Sequence, residues 1–349
     1  MPSTTGPLAP GWTRMGRALF VSGTDCWTRS WEIGLRYLRL AADLSVRDPD
    51  GRSGSRGPGG ALFDAYRHFI TEMAMVPGLA AERFAAELTP ADTGAATAAA
   101  APPPVEGRSI RLPARVEDAA QGLAMYAVPA RAVEEALAER ALPFVPVDLG
   151  RGAAALAIFG VRYVLSDLGT YDEIGFAFLV APRQDPLAMG LHFFELPVSS
   201  RFSCAAGKAI WGYAKTEETI DVAAGESETS WTLRRKAGSG RVLTITFPRG
   251  GGGSSTAIPL PTYTLLGGRP HRTVFVRTGR GERILAGGGR VMLALGDEQA
   301  NAGDGLWRTL RRLGLPAAPV ILHAWTEHMS GEMGAPLPLS QRDHCPPAA

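Results

Sequence analysis

Cysteine is scarce in this chain of 349 residues, which contains three cysteines, at positions 26, 204 and 345. Their number is odd, they are far apart, and no two of them form a Cys-x-x-Cys pair. This spacing excludes a disulfide framework and a zinc site built from thiolates. We therefore expect three unconnected thiols and no bound metal.

Long apolar runs and an excess of one charge are also absent. Every apolar run is shorter than the ~20 residues that a membrane-spanning helix needs, and the N-terminal residues lack the order of a signal peptide. Lys and Arg number 36 against 34 Asp and Glu, which argues against a nucleic-acid partner or an anionic membrane surface. We therefore expect a cytoplasmic protein with no membrane span and no nucleic-acid partner.

The glycine-rich and catalytic signatures of several large enzyme classes are missing. The sequence contains no GxGxxG between a strand and a helix, no GxxxxGK[ST], no GxSxG and no HExxH. This removes the usual dinucleotide, P-loop, serine-hydrolase and zinc-protease interpretations. His323 and His328 are five residues apart, a spacing that places them on opposite faces of a strand and disfavours a metal pair. No cofactor is expected.

Lysine is nearly absent as well. Of the 36 basic residues only Lys208, Lys215 and Lys236 are lysines, and all three lie in one short stretch. A coding bias toward arginine would explain this scarcity. A lysine is nevertheless required wherever an amine must lose its proton and attack a carbonyl, because a guanidinium stays protonated.

What is present is a change of hydrophobic period along the chain. Apolar residues at three- and four-residue spacings predict helices over 27–46 and 61–88. The segment 89–107 is rich in Ala, Thr and Pro, which is typical of a linker. We therefore divide the chain into a helical extension (1–88), a linker (89–107) and a β-rich domain (108–349).

The β-rich domain alternates apolar and polar residues at a period of two, which predicts a series of strands. Short helices are predicted over 130–142, 200–210 and 305–313. Because strands and helices do not alternate regularly, a parallel doubly wound sheet is excluded. We predict an α+β fold, mostly antiparallel β: a curled sheet or cone-like barrel with a few covering helices and an interior pocket.

The stretch 195–216 carries most of the chemistry. It predicts a strand, a helix of small residues and an aromatic turn that ends on Lys215. Apolar neighbours such as Trp211 and Tyr213 would bury the amine, and burial lowers the pKa of a lysine. A neutral amine in an apolar pocket can form a Schiff base with a ketone. The alternative is a surface lysine whose stem lies over the two rings.

Two blocks of this chain resemble the acetoacetate decarboxylase superfamily. The first block is Leu196-Pro197-Val198 followed by Gly-Lys-Ala-Ile-Trp-Gly-Tyr-Ala-Lys over 207–215. It is similar to the family's Leu-Pro-Val strand and Gly-Arg-Glu-x-x-Gly-Tyr/Phe-Pro-Lys motif. The second block, 167–175, resembles the family's Tyr-x-Glu segment. The resemblance extends over about 108–340 and leaves 1–106 unexplained.

The resemblance implies roles for individual residues. Lys215 would form the imine, and Glu173 would be the nearby acid or base. Tyr171, Trp211 and Tyr213 would shape the pocket. Two further residues of the motif, Lys208 and Thr216, are also taken as substrate-binding residues.

Several positions depart from the family pattern. Thr216 stands where the decarboxylases have a second lysine, and Ala209 replaces the glutamate of the motif. A further family glutamate falls on Ile158. The arginine that receives the substrate carboxylate falls near 119–121, where the sequence has none. Because a missing arginine weakens binding of an acid substrate, simple decarboxylation is disfavoured.

The predicted function is that of a Schiff-base lyase, independent of metal and cofactor, which acts on a small keto compound in secondary metabolism. Aldol, dehydration or hydration chemistry is favoured. One alternative is a true β-keto acid decarboxylase, for which Arg115 or Arg162 would have to replace the missing arginine. The other is a non-catalytic small-molecule-binding protein of the same fold, with Lys215 protonated. Many strand edges and the resemblance favour a homo-oligomer.

Overall fold

The structure is a computed structural model that describes residues 102–186, 188–236, 240–287 and 289–339. The helices predicted over 27–46 and 61–88, and residues 89–101 of the linker, lie outside the described residues. Within the described part of the chain, no helix combines the length and apolar character needed to cross a membrane.

The described residues form two β-sheets and four helices. The strands are β1 Ala114–Pro129, β2 Phe144–Pro146, β3 Ala153–Ser166, β4 Tyr171–Pro182, β5 Gly190–Val198, β6 Lys215–Glu217, β7 Thr219–Ala224, β8 Glu228–Arg234, β9 Arg241–Pro248, β10 Gly253–Leu266, β11 Arg269–Ala286, β12 Met292–Leu295, β13 Val320–Met333 and β14 Leu337–Pro338. The helices are α1 Ala130–Ala138, α2 Arg201–Trp211, α3 Glu298–Asn301 and α4 Gly305–Arg312.

Seven strands close into a barrel. Their order is β4-β3-β1-β13-β11-β10-β5, and β5 pairs with β4 to close the ring. Nearly all neighbours are antiparallel, whereas β10 meets β5 in parallel through the pair Thr262 and Leu191. The short strand β6 extends the sheet by pairing in parallel with β5. The predicted mostly antiparallel barrel with few helices is confirmed.

The second sheet has four strands in the order β12-β9-β8-β7. It packs on the outside of the barrel where β1 and β3 place two glycines opposite each other, Gly122 and Gly160. A Cβ at Gly122 would lie 2.4 Å from the Phe247 ring, and one at Gly160 would lie 2.6 Å from the Trp231 indole. Only glycine lets the two rings approach the barrel this closely.

Buried apolar residues of both sheets, together with α1 and α4, form the main core. The three predicted helices are present as α1, α2 and α4, with bounds that differ by a few residues. β1 begins at Ala114, and its pairing with β13 continues through the polar residues of its first half. The single-turn helix α3 has no counterpart in the prediction.

Candidate active site

The helix α2 and the strand β6 hold Lys215 against the barrel. α2 begins after Ser200, whose side chain accepts a hydrogen bond from the Ser203 backbone N–H, as an N-cap does. It ends at Gly212, which has a left-handed φ of 72°. The chain then turns and enters β6 at Lys215, which pairs with Leu196 of β5.

Gly207 in α2 makes room for the stem of Lys215. A Cβ at this position would lie 2.5 Å from Lys215 Cδ and 2.8 Å from Cε. The methylene stem therefore crosses the helix where the helix has no side chain. This contact explains in physical terms why the motif over 207–215 contains a glycine eight residues before its lysine.

The Lys215 amine has two hydrogen-bond acceptors. Its Nζ donates to Glu173 Oε2 at 2.9 Å and to Ser203 Oγ at 2.9 Å. Both members of the ion pair are buried, with side-chain exposures of 5% for Lys215 and 10% for Glu173. Lys215 and Glu173, which the sequence predicts as partners, are thus in direct contact.

Burial and charge act on the amine in opposite directions. Burial lowers the pKa of Lys215, but the Glu173 side chain within hydrogen-bond distance outweighs burial, so the pKa is raised above its ordinary value. The raised pKa favours the protonated amine. The expectation that burial alone would lower the pKa of Lys215 is wrong, because the acid partner lies within hydrogen-bond distance.

Two tyrosines complete the surroundings of the pair. The Tyr163 hydroxyl donates to Glu173 Oε1 at 3.3 Å, so both carboxylate oxygens have a donor. The Tyr171 ring stacks on Tyr163 with 4.3 Å between centroids, and Lys215 Nζ lies 5.1 Å from the Tyr171 centroid. Burial raises the pKa of both tyrosines, so they remain neutral donors.

A cavity of about 110 Å³ opens onto this pair. Its wall is mostly apolar and aromatic. The lining residues are Ala114, Arg115, Val116, Gln121, Phe159, Val161, Tyr163, Ser166, Leu168, Tyr171, Glu173, Leu191, Phe193, Leu196, Trp211, Tyr213, Lys215, Leu260, Thr262, Phe275, Met329 and Met333.

Trp211 and Tyr213 lie in the wall as predicted, and each is held by hydrogen bonds. Trp211 Nε1 donates to the Gly334 carbonyl at 2.9 Å. The Tyr213 hydroxyl lies 2.7 Å from the Thr262 hydroxyl, and burial raises the pKa of Tyr213 to about 12. These contacts fix the orientation of both rings.

Lys208 and Thr216 are not brought to the cavity. Lys208 is exposed on α2 and is not part of the cavity wall. Thr216 follows Lys215 in β6, where successive side chains point to opposite faces, and it too lies outside the wall.

The positions at which the sequence departs from the family pattern lie in different parts of the structure. Ile158 is fully buried in the main core, away from the cavity. Gln121 lines the cavity, and so does Arg115, whereas Arg162 does not. No cluster of three or more metal-ligating side chains occurs in the described ranges.

Sequence reasoning did not identify Ser203, Tyr163 or Gln121. Tyr163 could have been found from the hairpin register, because it pairs with Tyr171 across β3 and β4. Ser203 had no local signal, since its contact with Lys215 depends on how α2 packs against β6.

The sequence matches no protein-family model and no curated protein. Solved structures similar to it include an acetoacetate decarboxylase at 17% identity, with a TM-score of 0.47, covering 66% of this chain and 90% of that one. An acetoacetate decarboxylase-like enzyme from Sphingomonas wittichii has 12% identity, a TM-score of 0.46 and coverages of 67% and 96%. The enduracididine biosynthesis enzyme MppR complexed with pyruvate has 16% identity, a TM-score of 0.46 and coverages of 68% and 95%.

Proposed function

We propose that this protein is a lyase that forms a Schiff base between Lys215 and a small carbonyl compound, with Glu173 as the acid and base. The observation that carries the proposal is the buried contact of 2.9 Å between Lys215 Nζ and Glu173 Oε2 beside an apolar cavity. The sequence blocks that resemble the decarboxylases agree with these roles.

The nucleophile arises inside the pair. The Lys215 ammonium passes a proton to Glu173 along their hydrogen bond, which leaves a neutral amine and a carboxylic acid without changing the net charge of the cavity. Burial penalises the charged forms of both groups, so it lowers the free-energy cost of this transfer from the ion pair to the neutral pair. Ser203 Oγ, at 2.9 Å from Nζ, keeps the nitrogen in place during the transfer.

The amine then adds to the carbonyl carbon, forming a C–N bond and breaking the C=O π bond. Glu173 protonates the resulting oxygen, takes a proton from nitrogen, and returns it to the hydroxyl, which departs as water. The product is a protonated imine beside the Glu173 carboxylate. This carboxylate next removes a proton from the carbon α to the imine, which gives an enamine. Aldol, dehydration or hydration steps on the bound compound all proceed through this species.

Proton exchange at the α carbon tests the proposal. In D₂O, the protein is expected to exchange the α protons of small ketones and aldehydes, and cyanoborohydride is expected to leave a mass adduct on Lys215. Lys215→Arg retains a cation beside Glu173 but cannot form an imine. If the wild type shows neither α-proton exchange nor an adduct on Lys215 with any of the small ketones and aldehydes tested, the proposal is wrong.

The raised pKa of Lys215 favours a second candidate, a non-catalytic binding protein that keeps this amine as an ammonium. Such a protein would bind carbonyl compounds, with ligand-induced shifts in its NMR spectrum, but without exchange or adduct. Arg115 in the cavity wall favours a third, the β-keto acid decarboxylase, for which carbon dioxide release from acetoacetate is the test.

A further inference from the structure

We propose that the carbonyl compound taken by Lys215 is uncharged and largely apolar, a simple ketone or aldehyde rather than a keto acid. This inference rests on the proposed function and specifies its substrate class. Three observations support it: the charges of the cavity wall, the exposure and ion-pair partners of the nearby arginines, and the size of the cavity.

The cavity wall offers an apolar surface to whatever is bound there. Apart from Lys215, Glu173 and Arg115, the polar lining residues are neutral: Gln121, Tyr163, Ser166, Tyr171, Tyr213 and Thr262. The remaining side chains are aliphatic, aromatic or thioether groups. Their contacts favour hydrocarbon over charged groups, because moving a charge from water to an apolar surrounding is costly.

Gln121 occupies a central place in this wall. It pairs with Val161 of β3, and Val161 pairs with Glu173 of β4, so the three residues form one row across neighbouring strands. The Gln121 side chain lines the cavity as an uncharged amide. An amide in this row can hydrogen-bond a neutral oxygen of the bound compound, but it adds no charge to balance a carboxylate.

Among the described residues, the three arginines considered near the cavity, Arg115, Arg162 and Arg277, are each already paired with a carboxylate. Arg115 is 66% exposed and pairs with Glu332 at 3.3 Å, which places its guanidinium at the open end. Arg162 is half exposed and lies 3.9 Å from Asp172. Arg277 is buried, but it already donates to Glu282 at 2.6 Å and to Thr326 at 2.9 Å, and it is not part of the cavity wall.

The charge balance of the site then distinguishes the two substrate classes. Lys215 and Glu173 together are neutral, and they remain neutral when an uncharged ketone forms the protonated imine beside the carboxylate. A keto acid would leave a second carboxylate in the same cavity, with one cation for two anions. In a site of low polarity an uncompensated charge is expensive.

The cavity volume of about 110 Å³ agrees with a compound of a few carbon atoms. It is smaller than the roughly 300–1,000 Å³ typical of pockets for drug-sized ligands.

The experiment uses two compounds of the same shape. Pyruvate and isopropyl methyl ketone both carry a methyl group on the carbonyl, and the isopropyl group replaces the carboxylate with an apolar group of similar size. The protein is incubated with each compound and cyanoborohydride, and the adducts are located by peptide mass spectrometry. Lys208 and Lys236 are the other lysines of the chain and report labelling of surface amines in the same sample.

The expected result is that isopropyl methyl ketone labels Lys215 at least ten-fold faster than pyruvate, after normalisation to free Nα-acetyl-lysine in the same solution. Equal or faster labelling of Lys215 by pyruvate would overturn the proposed substrate class and leave the Schiff-base function intact. Loss of that pyruvate labelling in Arg115→Met would identify the open-end arginine as the carboxylate partner. If only Lys208 and Lys236 are labelled, the proposed function itself fails.

Discussion

Two buried clusters of the described residues share one composition, a cation, a carboxylate and a hydroxyl. In the first, Lys215 contacts Glu173 and Ser203, each at 2.9 Å. In the second, Arg277 contacts Glu282 at 2.6 Å and Thr326 at 2.9 Å, and Thr326 donates to Glu282 at 3.0 Å.

The two clusters differ in their cation and in what they face. A lysine can give its proton to the neighbouring carboxylate, whereas the guanidinium of an arginine stays charged. Lys215 and Glu173 line the cavity, whereas Arg277 and Glu282 do not. Under the proposed function, the kind of cation and its access to a cavity distinguish a reactive ion pair from a structural one.

Replacing the cation of the first cluster should have the largest effect on the rate of α-proton exchange. Lys215→Arg is expected to reduce α-proton exchange and Lys adduct formation by roughly a thousand-fold or more, because the nucleophile is lost. The matched variant Arg277→Lys should leave both rates within about two-fold per folded molecule. Loss of exchange in Arg277→Lys with an unchanged fold would contradict the assignment of the second cluster as structural.

Removing the carboxylate of each cluster should give a smaller effect. In the first cluster it should lower mainly the exchange rate, and in the second cluster mainly the stability of the fold. Glu173→Gln is expected to slow exchange about a hundred-fold, as loss of a general acid and base does, with a modest cost in stability because Lys215 can deprotonate. Glu282→Gln should leave exchange unchanged but destabilise the fold by about 3–5 kcal/mol, since Arg277 stays charged and buried. Urea unfolding of both variants gives the comparison. Equal stability costs would show that Lys215 does not lose its proton.

Gly207→Ala probes the path of the lysine stem. The new methyl group would lie 2.5 Å from Lys215 Cδ, so the amine must shift away from Glu173. We expect exchange to fall about ten-fold and stability to fall by about 1–3 kcal/mol. Gly305→Ala in α4 is the control, because a Cβ there meets nothing within 4 Å. An unchanged rate in Gly207→Ala would mean that the position of the stem does not matter for the chemistry.

Gln121→Arg adds a cation to the row of cavity residues that contains Glu173. The guanidinium is expected to raise labelling of Lys215 by pyruvate several-fold relative to isopropyl methyl ketone, because it can bind the carboxylate. Gln121→Met, similar in length and uncharged, should not change that ratio. A rise in both variants would assign the effect to altered shape instead of charge.

A third buried ionisable group, His192, hydrogen-bonds to a backbone carbonyl, that of Tyr263, instead of a carboxylate. Burial lowers the pKa of His192 to about 4. The unfolded chain therefore binds a proton at higher pH than the folded one, and stability falls as the pH decreases from about 6.5 to about 4. The loss contributed by His192 is about 3 kcal/mol. His192→Gln should flatten this part of the pH profile of stability. Exchange at neutral pH is expected to be unaffected.

Much of the architecture follows from the sequence, because period-two alternation and the scarcity of helices specify a mostly antiparallel β fold. The contact between Lys215 and Glu173 also follows, from two short blocks that resemble one family. The raised pKa of Lys215 does not follow, because its direction depends on an acid at 2.9 Å and not on the apolar neighbours in sequence. Ser203 and Gln121 were missed for a related reason, since their place in the site is set by packing between elements distant in the chain.

The paired glycines of β1 and β3 connect the outer sheet to the chemistry inside the barrel. Gly122 directly follows Gln121, and Gly160 directly precedes Val161, so each ring that presses on a glycine from outside supports the backbone of a residue facing the ligand. Phe247 and Trp231 therefore support the backbone of two cavity residues from outside the barrel without lining the cavity themselves. Under the proposed function, the packing of the outer sheet thus sets the position of side chains that it never contacts.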